Sequence, residues 1–84
     1  MIVEDKIKSF VFEKMPDADI EVQSNGNSFM VRVVSTSFEN QRSLKRQQLI
    51  YSCLGEMIKS GEIHAVSMNL YTPAEWKKQQ LFSG

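Results

Sequence analysis

The chain has 84 residues, and its ten basic and ten acidic side chains give a formal net charge of zero at neutral pH. This length fits one small domain over residues 1–84, and a hydrophobic content of 42% is typical of globular rather than disordered chains. Zero net charge argues against a strongly electrostatic nucleic-acid binder, although it is compatible with a local basic patch.

The cellular compartment is indicated by the cysteine count and by the N-terminus. One cysteine, Cys53, cannot form an internal disulfide, which fits a reducing cytoplasm. The segment from Met1 to Lys6 has early acidic residues and lacks the long apolar run of a signal peptide. No stretch approaches the roughly 18 apolar residues of a membrane span. We therefore expect a cytoplasmic protein without a membrane partner.

The first half of the chain predicts a helix and a hairpin. Pro16 ends a first helix, whose apolar residues recur at helical spacing: Val3, Ile7, Phe10 and Val11. Ile20 and Val22 then alternate with polar residues as a half-buried strand. Asn25-Gly26 is a strong hairpin signal, and alternation from Phe29 to Val34 predicts the return strand.

The second half predicts a helix, a strand and a helix. A long helix should run from about Arg42 to Lys59, with an apolar stripe of Leu44, Tyr51, Leu54 and Ile58, widened by Ile50 and Met57. The third strand is predicted from Ile63 to Tyr71. Thr72-Pro73-Ala74-Glu75 is a capping box that begins the last helix.

This order predicts an α+β fold: helix, strand, strand, helix, strand, helix. The connection from the second to the third strand contains a helix, so these two strands should be parallel. We expect a three-stranded mixed sheet with the helices on one face and a solvated face opposite.

His64 is the only histidine, and it lies at the head of the predicted third strand. It is either a histidine at the rim of the core, with a ring nitrogen bonded to a backbone carbonyl, or a ligand of a metal or cluster. One histidine and one distant cysteine cannot form a closed zinc site. If His64 is a ligand, the remaining ligands must come from a partner or a small molecule.

Cys53 lies within the long helix, at the edge of its apolar stripe. The favoured interpretation is a small residue that fills the core. The alternative is a reactive thiol, which requires an exposed and electropositive environment.

Arg42, Lys45 and Arg46 form a basic cluster in the first turn of the long helix. This is the unfavourable end of a helix for cations. The cluster is either a solvated surface or a site for an anionic partner, such as an acidic protein surface, a phosphate or nucleic acid.

The sequence gives little support for a catalytic role. The glutamates show no spacing that pairs two carboxylates on one apolar surface, and the chain contains neither a Walker loop nor a Gly-x-Gly-x-x-Gly segment. We expect no enzymatic activity.

Several segments resemble the BolA-like family, and the IbaG-like subgroup in particular. They are Ser43-Leu44-Lys45-Arg46-Gln47-Gln48, Tyr51, Ile63-His64-Ala65-Val66-Ser67 and Tyr71-Thr72-Pro73-Ala74-Glu75-Trp76. The likeness covers nearly the whole chain. It implies a fold similar to the type II KH domain.

The resemblance also implies a function. Such proteins are non-enzymatic adaptors that bind monothiol glutaredoxins and share a [2Fe–2S] cluster with them, in iron–sulfur trafficking or iron sensing. His64 matches the expected cluster ligand, while the glutaredoxin supplies its cysteine together with glutathione. A neutral imidazole in place of a thiolate raises the cluster's potential and can be lost on protonation. The expected assembly is a monomer alone and a heterodimer with its partner.

The chain departs from the family pattern in the loop between the first two strands. Family members often carry a second histidine or cysteine there, and Ser28 stands where the IbaG-like proteins have histidine. His64 is then the one strong ligand from this chain. The alternative function is a nucleic-acid-binding transcriptional regulator that uses Arg42, Lys45 and Arg46, although the chain has no Gly-x-x-Gly loop of the KH type.

Overall fold

A computed structural model describes residues 2–26 and 28–83. The elements follow the predicted order: α1 (Val3–Lys14), β1 (Asp19–Asn25), β2 (Ser28–Val34), α2 (Ser43–Lys59), β3 (Ala65–Tyr71) and α3 (Pro73–Ser83). The three strands form one sheet in the order β1-β2-β3. β1 pairs with β2 in antiparallel orientation, and β2 pairs with β3 in parallel orientation. The predicted α+β class with a three-stranded mixed sheet is confirmed.

The hairpin between β1 and β2 forms close to the predicted place. Asn25 pairs with Ser28, so the hairpin turn lies between these two residues and includes Gly26. Gly26 has φ +65°, a conformation that glycine adopts without steric cost and that tight hairpin turns require. Asn27 lies outside the described residues.

The core lies between the sheet and the first two helices. The buried side chains of β2 alternate along the strand and meet buried residues of both helices: Ile7, Val11, Val31, Val33, Ile50, Leu54 and Met57. Phe38 also lies in this core, in a short 3-10 turn between β2 and α2. The sequence places Phe38 in a polar connection, and only its packing reveals that it is a core residue.

The predicted stripe of α2 is wrong for three residues. Leu44, Tyr51 and Ile58 are 66%, 46% and 38% exposed. They are spaced by seven residues and therefore form one row along the helix. The helix packs through the adjacent rows, which include Cys53 and Leu54.

The second face of the sheet is not wholly solvated. Arg32 alternates with the core residues Val31 and Val33, so its side chain projects from the opposite face. There its guanidinium stacks 4.3 Å from the ring centroid of Trp76, on α3, and donates to Glu21 at 2.7 Å. The start of α3, which contains Trp76, therefore lies on the face of the sheet opposite to α1 and α2.

Asp17 connects the end of α1 to the end of β2. Its carboxylate accepts hydrogen bonds from the Ser35 hydroxyl and from both the backbone N–H and the hydroxyl of Thr36. These bonds hold the pKa of Asp17 below its usual value, and the bond from the Thr36 backbone has the largest effect. The carboxylate also caps the N-terminus of the 3-10 turn, which positions Phe38 in the core.

Arg46 connects α2, β3 and α3. Its Nε donates to the Gln41 carbonyl at 2.9 Å, and its Nη1 donates to the Leu70 carbonyl at 3.1 Å. Both Nη atoms also donate to the Glu75 carboxylate, at 2.6 and 3.1 Å. Glu75 belongs to the predicted capping box, which is confirmed: its carboxylate accepts from the Thr72 N–H, and its own N–H donates to the Thr72 hydroxyl. The hydrogen bonds from Arg46 have the largest effect on the Glu75 carboxylate. Together with the capping bond, they lower the pKa of Glu75 to about 2.

We predict that Glu75→Gln lowers the free energy of unfolding by about 1 kcal/mol at pH 7, a value discounted for solvent screening. Glutamine retains the capping oxygen but not the charge, so the variant isolates the ion pair. The lowered pKa stabilises the fold fully above the unfolded value of 4.5, and this contribution is lost as pH falls toward about 2.

Urea unfolding of both proteins at several pH values between 7 and 2 measures this difference. The difference in free energy of unfolding between wild type and Glu75→Gln should become smaller as pH falls from 4.5 toward 2. A gap that is constant over this range would contradict the assignment.

Candidate functional site

His64 lies in the loop that leads from α2 into β3, and it is exposed. The predicted start of the strand at Ile63 is wrong by two residues. The N–H groups of Glu62 and Ile63 both donate to the Met57 carbonyl, so the chain is still turning away from α2. Strand pairing begins only at Ala65, and His64 enters the sheet from its end.

The His64 imidazole lies near Gly61. Gly61 has φ +81°, and a Cβ placed there would lie 3.8 Å from the imidazole Cε1. Neither ring nitrogen of His64 has a hydrogen-bond partner among the described residues. The alternative of a rim histidine bonded to a backbone carbonyl therefore has no such carbonyl within that part of the chain.

Ser28 stands at the start of β2. It pairs with Ala65, the residue that follows His64, and it is exposed. A hydroxyl is a much weaker metal donor than an imidazole or a thiolate. Of these two positions, only His64 carries a strong donor.

Cys53 is buried in α2, with 8% of its surface exposed. Its thiol donates to the Leu49 carbonyl at 3.3 Å, and burial raises its pKa. The structure thus gives Cys53 the surroundings of a core-filling residue, not those of a reactive thiol. Within residues 2–26 and 28–83, no three or more His, Cys, Asp or Glu side chains are grouped so that they could hold a metal ion.

The basic cluster divides into two parts. Arg42 and Lys45 are exposed at the start of α2. The side chain of Arg46 is only 13% exposed, and its donors are occupied by Gln41, Leu70 and Glu75. Arg42 and Lys45 are therefore the members of the cluster that can meet a partner directly.

Sequence reasoning missed two features around this site. The ion pair of Arg46 with Glu75 joins residues that are distant in the chain, and the capping box identifies only Glu75. The stacking of Arg32 on Trp76 likewise joins β2 and α3, which are distant in the chain. No local pattern reports either contact.

Comparison with known proteins gives consistent matches. A family model described as BolA-like protein matches residues 9–75. The acid stress protein IbaG of Escherichia coli K12 is 34% identical over 79 residues, which cover 94% of both chains. A Haemophilus influenzae protein named DNA-binding transcriptional regulator BolA is 43% identical over 51 residues, covering 61% of this chain and 48% of that one.

A solved structure of a BolA protein homologue from Coxiella burnetii has a TM-score of 0.77 at 31% identity, and the match covers 92% of this chain and 99% of that one. The resemblance to the BolA-like family is confirmed. The likeness to the type II KH domain stays a prediction. No helix in the described part of the chain is long and apolar enough to cross a membrane.

We predict that Cys53 reacts with a thiol reagent roughly a hundredfold more slowly in the native protein than in denaturant, because reaction requires local opening of α2. The matched control places a cysteine at the adjacent exposed position, as Ser52→Cys in a Cys53→Ala background. That variant should react rapidly without denaturant. Equal rates for the two native proteins would show that the Cys53 thiol is accessible.

Proposed function

The chain belongs to the BolA-like family, and we propose that it is a non-enzymatic adaptor that binds a monothiol glutaredoxin and shares a [2Fe–2S] cluster with it. The observation that carries this proposal is the exposed imidazole of His64 at the end of the sheet. An imidazole in this position can reach an atom that belongs to another molecule. We place the protein in iron–sulfur trafficking or iron sensing.

The donor set of this chain fits one ligand of a shared cluster. His64 offers a neutral nitrogen, and its ring is exposed. Cys53 is buried and does not contribute. The glutaredoxin cysteine and glutathione would supply the other ligands, so the cluster belongs to the heterodimer and not to this chain alone.

The weak donor at Ser28 suits a transferable cluster. Because the hydroxyl adds little to metal binding, the link to this chain depends on His64. An imidazole ligand is lost when it is protonated, so such a link can be broken without unfolding. In this proposal the protein is a cytoplasmic monomer that forms a heterodimer with its partner.

We expect the wild-type protein to change the visible circular dichroism of a [2Fe–2S]-loaded monothiol glutaredoxin and to form a one-to-one complex with it. His64→Ala should leave that spectrum unchanged, since it removes the only strong donor. Asn69→Ala is a matched control, because Asn69 is an exposed polar residue on β3. If His64→Ala and Asn69→Ala both behave as wild type, His64 is not a ligand.

The variant Ser28→His tests the same site by adding a second imidazole. The register of β2 and β3 pairs position 28 with Ala65, the residue directly after His64, and a second imidazole there would hold the cluster longer if it reached the same site as His64. The measurement is the rate at which a chelator removes iron from the complex, which should fall by roughly tenfold if one further ligand contributes. An unchanged rate would count against a cluster between these two positions.

A nucleic-acid-binding regulator is the second candidate function. It is favoured by the exposed side chains of Arg42 and Lys45 at the start of α2, and by the similarity to a relative named as a DNA-binding transcriptional regulator. The balanced charge of the chain implies that binding would rest on few phosphate contacts.

For this second function, we expect Arg42→Ala and Lys45→Ala each to weaken binding to duplex DNA. Each should reduce the slope of log affinity against log salt by about 0.9. Lys59→Ala, at the other end of α2, is the control and should leave the slope unchanged. An affinity that does not depend on salt would exclude this mode of binding.

A further inference from the structure

The start of α1 contacts both segments that lie at the His64 end of the sheet. The Glu4 carboxylate accepts a hydrogen bond from the Ser24 hydroxyl, near the end of β1, at 3.0 Å. Two residues further along α1, the Lys6 ammonium donates to the Glu62 carboxylate at 2.6 Å. Glu62 lies in the loop from α2 to β3, two residues before His64. The beginning of α1 is therefore bonded to the β1–β2 hairpin and to the loop that carries His64.

The backbone on both sides of Glu62 is fixed by other contacts. The Gly61 N–H donates to the Ile58 carbonyl, and the Glu62 N–H donates to the Met57 carbonyl. With Gly61 at φ +81°, these two bonds form a Schellman motif at the end of α2. The next residue, Ile63, is buried in the core. The position of Glu62 in such a motif often carries an apolar residue, but here it carries a carboxylate that pairs with α1.

The Glu62 carboxylate lies close enough to His64 to act on a charge that is bound there. Two residues of chain separate their Cα atoms by at most about 7 Å, which is shorter than the screening length of about 10 Å at 0.1 M salt. The side chains of Lys6 and Glu62 are 36% and 31% exposed, so water screens the pair only in part. Lys6 therefore cancels a charge that would otherwise stand beside His64.

We propose that Lys6 is a positioning residue for the cluster site, because it holds the Glu62 carboxylate against α1 and cancels its charge beside His64. This inference rests on the proposed function. A [2Fe–2S] cluster gains one negative charge when it is reduced, so the net charge around it affects its reduction potential. Lys6 acts through Glu62 and does not itself contact the cluster.

The test uses Lys6→Met, Glu62→Gln and the double variant, each mixed with a [2Fe–2S]-loaded monothiol glutaredoxin. A redox titration followed by visible absorption measures the reduction potential of each complex. Lys6→Met should shift the potential to lower values, because it leaves an unpaired carboxylate near the cluster. Glu62→Gln should shift it to higher values, because it leaves an unpaired ammonium group. The double variant should return close to wild type.

The opposite signs of the two shifts distinguish a charge effect from a structural one. If the pair only stabilised the loop, breaking it from either side would shift the potential in the same direction. Lys8→Met is the matched control for Lys6, because Lys8 lies on the same helix but lines a cavity with Ile20, on the β1 side. Glu13→Gln, near the other end of α1, is the control for Glu62. Both controls should shift the potential much less than the paired residues.

Urea unfolding of the same variants without glutaredoxin or cluster measures whether the pair forms in solution. Lys6→Met should reduce stability less in the Glu62→Gln background than in the wild-type background, because its partner is already removed there. Equal effects in the two backgrounds would show that Lys6 and Glu62 are not paired, and would overturn the inference.

The remaining outcomes separate this inference from the function on which it rests. Suppose that wild type forms the cluster complex, that His64→Ala does not, and that Lys6→Met and Glu62→Gln shift the potential in the same direction or not at all. Then the role of Lys6 is wrong, and the adaptor function stands. If wild type forms no cluster complex, or if His64→Ala forms it equally well, the adaptor function is wrong and the role of Lys6 is overturned with it.

Discussion

The position of α2 against β3 depends on the guanidinium of Arg46. It donates four hydrogen bonds, to the carbonyls of Gln41 and Leu70 and to both oxygens of Glu75. Removing it would leave the Leu70 carbonyl and the Glu75 carboxylate without their shared donor, a loss that weighs most on the Leu70 carbonyl because Glu75 is partly solvated. In the parallel connection from β2 to β3, the helix must return along the sheet. Arg46 fixes where that return begins, and its pairing with Glu75 extends the constraint to α3.

This constraint also divides the outer edge of β3. Its end is covered, because Arg46 occupies the Leu70 carbonyl. Its beginning is open, and His64 enters there after the turn at Gly61. Natural edge strands are usually covered or charged to prevent unwanted pairing, but β3 carries no charged residue. Within residues 2–26 and 28–83 the beginning of the strand is therefore uncovered on its outer side, and the exposed imidazole of His64 lies beside it.

The two proposed functions use opposite ends of β3. The adaptor function uses His64, at the beginning of the strand, and requires a partner that brings its own ligands. The regulator function uses Arg42 and Lys45, near the end, and requires only an anion. The ion pair of Arg46 with Glu75 removes one cation from that second surface. With no net charge on the whole chain, this loss favours a protein partner over a polyanion.

The sequence by itself determined the order of elements, the hairpin near Gly26 and the capping box before α3, because these depend on local periodicity and turn chemistry. It also singled out His64, as the only imidazole. Only the tertiary structure decided that Arg46 is an internal residue, that Tyr51 is exposed, and that β3 begins after His64. Hydrogen bonds and packing between distant segments settle these features, and local spacing does not report which row of a helix finds a neighbour.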